Sequence, residues 1–388
     1  MDTDILISGG GIAGLTAAAA FGSAGYRVVC VDPLADTAGD QRSTAFLQPA
    51  IPVLAAAGLW DRLSPSAAPL QVMRIVDAGG PSAEPRLAKE FDAAEISDQP
   101  FGWNLPNALL RTVMADRLKD LPDVTHLRGT GTRTLATRTS QARVTLTNGQ
   151  TVTARLVIAA DGRDSPMRQA AGISVRTTRF GQKALAFTVL HDIPHNNVST
   201  EVHRSGGPFT LVPLPDRDGR HASAVVWMDA GPKAERLRAL LPDDFSVAAS
   251  ERSAGVLGPL TLASPVGIFP IIGQIAARMS GERLALMAEA AHVLPPIGAQ
   301  GLNTSLADLA ALLDLATPAT LGDAAMLDAY HRRRHGDIRT RALGIEALNR
   351  ASMLSWPMMR DLRATMLDTL YSVKPVRRAL MRAGLGGR

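Results

Sequence analysis

The stretch that decides the fold is "DILISGGGIAGLTAAAAFGSAGYRVVCVD", residues 4–32. Ile5, Leu6 and Ile7 form the short apolar run expected of a strand buried on both faces. Gly9, Gly11 and Gly14 then fit G-x-G-x-x-G, an Ala-rich helix follows, and "RVVCVD" is a second strand ending at Asp32. In such a unit the first glycine permits the tight turn, the second lets the backbone approach a pyrophosphate, and the third lets helix and strand pack closely. The helix start offers unpaired N–H groups and the positive end of its dipole to the phosphates. Asp32 can accept bonds from a ribose diol. The strand–turn–helix–strand–acid context predicts a βαβ unit that binds a dinucleotide, where three glycines alone would say little.

Working outward, residues 141–162, "QARVTLTNGQTVTARLVIAADG", alternate around Asn148-Gly149, the favoured two-residue hairpin turn. The second arm continues as a buried strand ending at Asp161-Gly162. Asp161 is placed either to bond a cofactor's sugar hydroxyls or simply to make an Asp-Gly turn. Ser165, Pro166 and Gly172 predict the N-cap, first position and stop of a short helix. Residues 184–229 hold alternating runs ("ALAFTVLH", "STEVHR", "PFTLVPLP", "HASAVVWMD") with a turn at "DRDG". They predict an antiparallel sheet inserted after the nucleotide-binding elements, on the substrate side. "KAERLRALL" and "PDDFSVAAS" read as helices. His191 and His195 stand four apart, but Pro194 lies between them, so they read as turn residues and not as metal ligands.

A second informative stretch is "AEAAHVLPPIGAQGLNTSLADLAALLDL", residues 288–315. A strand, "RLALMAEAA", runs into Pro295-Pro296. Gly298 and Gly301 follow, and Leu302, Leu306, Leu309 and Leu313 recur at helical spacing. Ser305-x-x-Asp308 resembles a capping box. A loop with close-approach glycines thus delivers a helix start to one spot. Such an end stabilises negative charge by about 0.3–1 kcal/mol when exposed.

With 388 residues, 46% of them hydrophobic, the chain can build two packed domains or one large composite, and it is too apolar for disorder. No run of about 18 uninterrupted apolar residues predicts a membrane-crossing helix. No basic and then apolar leader precedes the first strand, so no signal peptide is expected. The single cysteine, Cys30, excludes internal disulfides and cysteine-based metal sites and reads as a core residue in a reducing compartment. The net charge of +5 is uneven: residues 331–388 carry thirteen Lys and Arg against four Asp and Glu, leaving 28 against 32 elsewhere. Aromatic residues at 4% and the lack of a recognisable module exclude nucleic acid as a partner. In the tail, Met358, Leu362, Met366 and Leu370 form an apolar stripe with Arg360, Arg363, Lys374, Arg377, Arg378 and Arg382 around it. Such a segment suits an anionic membrane surface or an acidic partner, or packs as a helical cap on the body.

Gly9-x-Gly11-x-x-Gly14, Asp161-Gly162 and "EAAHVLPPIGAQGLN", in that order, resemble the single-component flavoprotein aromatic hydroxylases of the para-hydroxybenzoate hydroxylase type, over nearly the whole chain. "QRSTAF", "NLPNALLRTVM", "GQKALAFTVLHDIPHNN", "SGGPFTLVPLP" and "YHRRRHGDIRTR" narrow the resemblance to the ubiquinone-biosynthesis hydroxylases. Together with the elements above this gives an α/β fold. It comprises a discontinuous Rossmann-like FAD-binding domain (1–75, 102–180, 275–330), an inserted substrate domain with an antiparallel β-sheet (76–101, 181–274) and a basic helical C-terminal region (331–388).

The resemblance implies FAD as cofactor and NAD(P)H as co-substrate, in keeping with the lack of a second G-x-G-x-x-G. Gly9, Gly11 and Gly14 would hold the pyrophosphate and Asp32 the adenosine ribose, with Arg42 near the phosphate and ribose end. Asn107 would make a polar FAD contact; Arg111 either touches FAD or lies on a solvated helix face. Asp161 belongs to the Asp-Gly fingerprint, and Glu289 would meet the pyrophosphate–ribityl region. Pro296, Gly298, Ala299, Gly301, Leu302 and Asn303 would line the isoalloxazine N1/O2 edge, where negative charge collects on reduction. His292 is either structural or a proton relay. Where the family commonly has Gly-Asp-Ala-Ala-His, this chain has Ala288-Glu289-Ala290-Ala291-His292, so the longer carboxylate must retract or the backbone shift. The implied reaction is reduction of FAD by NAD(P)H, addition of dioxygen at flavin C4a, and transfer of the hydroperoxide's distal oxygen to a lipophilic, polyprenylated phenol. A flavin-binding, non-catalytic member of a quinone-biosynthesis complex and a monooxygenase of a soluble aromatic metabolite are the alternatives. The expected location is cytoplasmic, peripheral on the inner membrane face, with other quinone-biosynthesis proteins as partners.

Overall fold

The computed structural model describes residues 1–35, 40, 42–78, 85–204, 206–353 and 371–385. The opening unit folds as its pattern predicts, into β1 (Asp2–Ser8), α1 (Ile12–Ser23) and β2 (Val28–Asp32), with Ile5, Leu6 and Ile7 fully buried. They join β8 (Val124–Arg128), β9 (Thr132–Thr137), β10 (Ala142–Leu146), β11 (Thr151–Ala159), β18 (Ser280–Gly281) and β19 (Leu284–Leu286) in one sheet. Its order is β18-β19-β11-β1-β2-β8, with β10 branching from β11 and β9 from β10. β19, β11, β1, β2 and β8 run parallel. Their C-terminal ends therefore bring the loops at Gly9, Asp32 and Asp161 to one edge, where open α/β sheets bind ligands.

The hairpin at Asn148-Gly149 forms, but with a longer turn than the two-residue one expected. Leu146 N–H donates to Gln150 O, Gly149 N–H donates to Leu146 O, and of the pair only Gly149 has a positive φ, +86°. The two-residue turn needs positive φ at both central residues; here a three-residue loop closed by a left-handed glycine replaces it.

The second sheet comprises β5 (Val72–Asp77), β6 (Leu87–Asp92), β12 (Val175–His191), β13 (Val198–His203), β14 (Pro208–Arg217), β15 (Arg220–Ala230), β16 (Thr261–Leu262), β17 (Gly267–Ala276) and β20 (His292–Val293). The order is β20-β17-β12-β15-β14-β13-β5-β6, antiparallel except for β13-β5. The residue boundaries drawn at 75/76, 180/181 and 274/275 fall inside β5, β12 and β17. One face of this sheet packs Leu185, Phe187, Phe209, Val225 and Trp227 against α6 (Gly231–Arg238) and α7 (Pro242–Arg252). The other face presents Ala184, Met228 and Ile271 to Ile297 of the Pro-Pro loop. A small sheet of β3 (Ser43–Leu47), β4 (Ala68–Leu70) and β7 (Gly102–Pro106) and the helices α2 (Ile51–Ala56), α3 (Trp60–Leu63), α4 (Asn107–Lys119) and α5 (Pro166–Ala170) complete this part.

The segment 284–315 departs from its reading in two ways. Its strand is only Leu284–Leu286, followed by a 3-10 turn at Ala288–Ala290. Helix α8 (Gln300–Leu315) starts at Gln300, so Ser305 and Asp308 are interior. Ser305 Oγ donates to Gly301 O, and no capping box forms. Helix α9 (Ala324–Met353) begins before residue 331 and buries Tyr330, Arg334, Ile338, Ala342 and Ile345, so the start of the basic region is core helix. The helix α10 (Lys374–Leu385) follows. The stripe Met358, Leu362, Met366 and Leu370, with Arg360 and Arg363, lies outside the described residues. Among the described residues no helix is long and apolar enough to cross a membrane.

Candidate active site

At the first βα turn the three glycines do different work. Gly9 has φ +110°, and a Cβ there would strike the Ala160 carbonyl; one at Gly14 would strike the Gly9 carbonyl. Those two let α1 seat against β1 and β11. A Cβ at Gly11 would meet nothing within 4 Å, so its backbone borders open space. The first-turn N–H groups of α1 beside it have no helical acceptor. Asp32 is buried: Oδ1 accepts from Leu34 N–H at 3.0 Å and Oδ2 from Arg111 Nη2 at 3.2 Å. Arg111 is therefore in a buried ion pair and not on a solvated helix face. Its Nε is buried without a partner. His126 on β8 lies 3.9 Å from Asp32; burial lowers its pKa below the ordinary value, against the pull of that carboxylate. Asp161 Oδ2 accepts from Ser8 Oγ at 3.0 Å and Met167 N–H at 3.3 Å, while Oδ1 is buried with no partner. Burial raises the Asp161 pKa, and hydrogen bonds from Ser165, Met167 and Ser8 offset only part of that.

Arg42 grips Asp40 through two bonds of 2.8 Å and stacks over the Phe269 ring at 5.0 Å. Asn107, the first residue of α4, accepts from Thr44 Oγ1 at 2.7 Å and donates to Asp40 Oδ2 at 2.9 Å. Glu289 is half-exposed on its 3-10 turn, 3.9 Å from Arg163 Nε. Its charge adds to the larger effect of Asp40 in raising the Arg42 pKa. The longer acid is accommodated by a carboxylate that faces outward between arginines. The turn carrying it has Ala288 at φ +55°, and buried Arg168 pins it by donating to Ala290 O at 2.8 Å.

Gly298 and Ala299, at φ +63° and +55°, swing the chain into α8. Pro296 and this pair are exposed, Gly301 has open space where a Cβ would go, and Leu302 packs on the first core. Asn303 has its amide fully engaged: Oδ1 accepts from Leu47 N–H at 2.8 Å, and Nδ2 donates to Ala45 O at 2.8 Å and Ala299 O at 2.7 Å. It staples α8 to β3, leaving its backbone as the part that can face a ligand.

His292 sits beneath this loop in a buried charge network. Its Nε2 donates to Asp308 Oδ2 at 2.6 Å, and Arg334 Nε donates to Asp308 Oδ1 at 2.7 Å. Arg334 also binds Asp337, which Arg341 binds in turn, and Arg341 reaches Gln300 Oε1 at 3.2 Å. Burial works against the Arg334 charge, but Asp308 and Asp337 outweigh it and hold its pKa above the ordinary value. In the sequence Asp308 read only as part of a helix cap, and Arg334 had no role assigned to it. One signal was available: Arg334 falls on the apolar stripe of Tyr330, Ile338 and Ala342. His191 and His195 spend their ring nitrogens on Ile193 O, Ser223, Leu214 O and Asn197 N–H, as turn residues do.

Open glycine backbones, two helix starts at one edge, and the unpartnered Asp161 Oδ1 and Arg111 Nε fit a long ligand with phosphates and sugar hydroxyls. A family model described as an FAD binding domain matches residues 2–341. The chain belongs to this family of FAD-dependent hydroxylases. A ubiquinone hydroxylase of Rhodospirillum rubrum is 33% identical over 395 residues, covering 94% of this chain and 90% of that protein. The 3-demethoxyubiquinol 3-hydroxylase of Escherichia coli is 26% identical, covering 99% and 98%. The crystal structure of p-nitrophenol 4-monooxygenase from Pseudomonas putida shares the fold with a TM-score of 0.83 at 20% identity, covering 100% and 99% of the two chains. This chain is an FAD-dependent aromatic hydroxylase, of a family in which NAD(P)H is the typical co-substrate.

Proposed function

We propose that this flavoprotein hydroxylates the aromatic ring of a polyprenylated phenol in ubiquinone biosynthesis. The relatives from Rhodospirillum rubrum and Escherichia coli bear that chemistry in their names. The structural observation that carries the reading is the left-handed turn Gly298–Ala299 feeding the start of α8, beside the face of the large sheet that holds Ala184, Met228 and Val226. Apolar side chains line that face, which suits a ring and an isoprenoid chain.

Bound FAD supplies the passage of electrons from NAD(P)H and the activation of oxygen. The chain supplies the rest. Gly11 and the start of α1 hold the pyrophosphate, Asp32 and Arg111 the ribose, and Asp161 Oδ1 accepts a sugar hydroxyl. Arg42 and Arg163 screen Glu289, so that its carboxylate does not repel the phosphates. N–H groups of the first turn of α8, backed by the network from His292 to Gln300, hold negative charge at the ring edge, worth up to about 2 kcal/mol in a partly buried site. The large sheet covers the ring and excludes water.

The same reading gives α10 a role. Val373, Val376 and Leu380 are exposed at helical spacing, with Lys374 and Arg382 beside them, while Arg377 anchors the helix on Glu95 at 2.8 Å. That surface suits the anionic inner face of a membrane, where a lipophilic phenol resides, and other quinone-biosynthesis proteins. The test is the purified chain supplied with FAD, NAD(P)H, labelled dioxygen and a prenylated phenol. Yellow protein that oxidises NAD(P)H and incorporates label into the phenol supports the function. Flavin binding with no oxygenated phenol would favour a non-catalytic member of a quinone-biosynthesis complex, and label entering only soluble aromatics would move the substrate class.

A further inference from the structure

A phenol attacks an electrophilic oxygen faster as its phenolate, so a base beside the ring hydroxyl accelerates the reaction. Asp161 and Glu289 are assigned to the cofactor, and His292, though its Nδ1 is also without a partner, has a side chain only 1% exposed beneath the loop. On β13, Glu201 and His203 stand two apart and share one face of the strand. Val202, between them, packs into the core under α6 and α7. Glu201 pairs with Thr210, and Thr210 with Val226, which clusters with Ala184, Met228 and Ile297. Glu201 and His203 therefore project from the same face of the sheet that meets the Pro-Pro loop at Ala184 and Met228, two strands beyond β15.

Their side chains are 8% and 15% exposed, and His203 Nε2 lies 2.6 Å from Glu201 Oε1. The Glu201 carboxylate against Nε2 favours the proton on that nitrogen, which leaves the ring's lone pair on Nδ1, buried and with no hydrogen-bond partner. Charged neighbours by register and sequence are Asp77, the partner of His203 on β5, which Arg86 holds at 3.3 Å, and Arg204, next in the chain. On β14 the partners of Glu201 and His203 are the uncharged Thr210 and Pro208.

We propose that His203, oriented by Glu201, is the base that takes the proton of the phenolic substrate. This rests on the phenol hydroxylation proposed above. The substrate O–H bond breaks, an N–H bond forms at Nδ1, and the electron pair stays on oxygen and delocalises into the ring. The Glu201 carboxylate stabilises the resulting imidazolium and fixes its orientation. The proton leaves to solvent after turnover.

The test compares FAD-loaded wild type, His203→Gln and Glu201→Gln on 2-geranylphenol and a ring-fluorinated counterpart with a more acidic hydroxyl. Flavin content should be unchanged, and hydroxylation should fall on the order of 10²-fold in both variants. The residual rate should climb with pH, and the loss should shrink about tenfold on the fluorinated phenol. Variants that match wild type at every pH, or lose equally on both phenols, overturn the proposal. If His203→Gln fails to fold, Glu201→Gln, which keeps the side chain's size, decides by the same criteria. A wild type that oxygenates neither phenol refutes the proposed function itself, and the proton acceptor with it.

Discussion

Ala288 holds φ +55° immediately before Glu289. A residue with a Cβ pays roughly 1–2 kcal/mol in the left-handed region. Glycine does not, although it returns part of the gain as extra freedom of the unfolded chain. Ala288→Gly should therefore raise the unfolding free energy by about 1 kcal/mol. Urea unfolding of the flavin-free chain measures this, and an unmoved midpoint would show that the turn is unstrained. Asp161 carries the opposite tension, between stability and binding. Burial raises its pKa, so the folded chain binds this proton more tightly than the unfolded chain does. The resulting stability is present at acid pH, and it is lost as pH rises from the ordinary carboxylate value through the raised one. Asp161→Asn should thus unfold at higher denaturant than wild type at pH 7 but not at pH 3. It should also bind FAD roughly tenfold or more weakly, since a charge-assisted bond is worth about 1.5–3 kcal/mol. Chemical unfolding at the two pH values and a flavin titration read both signs.

Between elements, Asp308 joins α8 to β20 through His292 and to α9 through Arg334, all three buried. Removing one partner of such a group leaves charge without compensation, at a cost of about 3–5 kcal/mol. Asp308→Ala should destabilise the chain by that amount in equilibrium unfolding; a loss below about 1 kcal/mol would mean the network is hydrated. This clamp was illegible in the sequence for a definite reason. Ser305-x-x-Asp308 has the spacing of a cap and its third residue, but the same spacing recurs inside any helix, and only the left-handed Ala299 fixes where α8 begins. Likewise Asn148-Gly149 announced a hairpin but not its turn type, because Asn-Gly serves both loop lengths. Gly9 and Gly14 were legible because each meets a local steric demand that only glycine satisfies, and Gly11 because it completes their spacing. Glu201 and His203 were not: alternation puts them on one face of β13, but which face is the core is set by α6 and α7, far along the chain.

At the scale of the whole molecule, the doubly connected architecture follows from two periodicities, apolar runs in the parallel sheet and alternation in the antiparallel one, and both are visible in the chain. The relation of the basic region to the body is not, because charge counts do not distinguish Arg334, buried under α8, from Arg382 on α10. Arg377 ties α10 to Glu95, Tyr371 packs edge-on against Phe91, and Gln300 donates to Gly384 O at 2.9 Å. The helix therefore bridges an edge of the large sheet and the start of α8 while keeping Val373, Val376 and Leu380 outward. If that face meets lipid, inserting charge there should weaken membrane contact without touching the chemistry. Val376→Asp with Leu380→Asp removes two apolar contacts worth about 1.5–3 kcal/mol each when fully buried and adds repulsion from anionic headgroups. Co-sedimentation with vesicles containing phosphatidylglycerol should fall at least tenfold, while turnover of a short-chain phenol in detergent-free buffer stays at the wild-type rate. Unchanged vesicle binding would remove the membrane role from α10, and a lost turnover with intact vesicle binding would show instead that the helix braces the turn at Gly298.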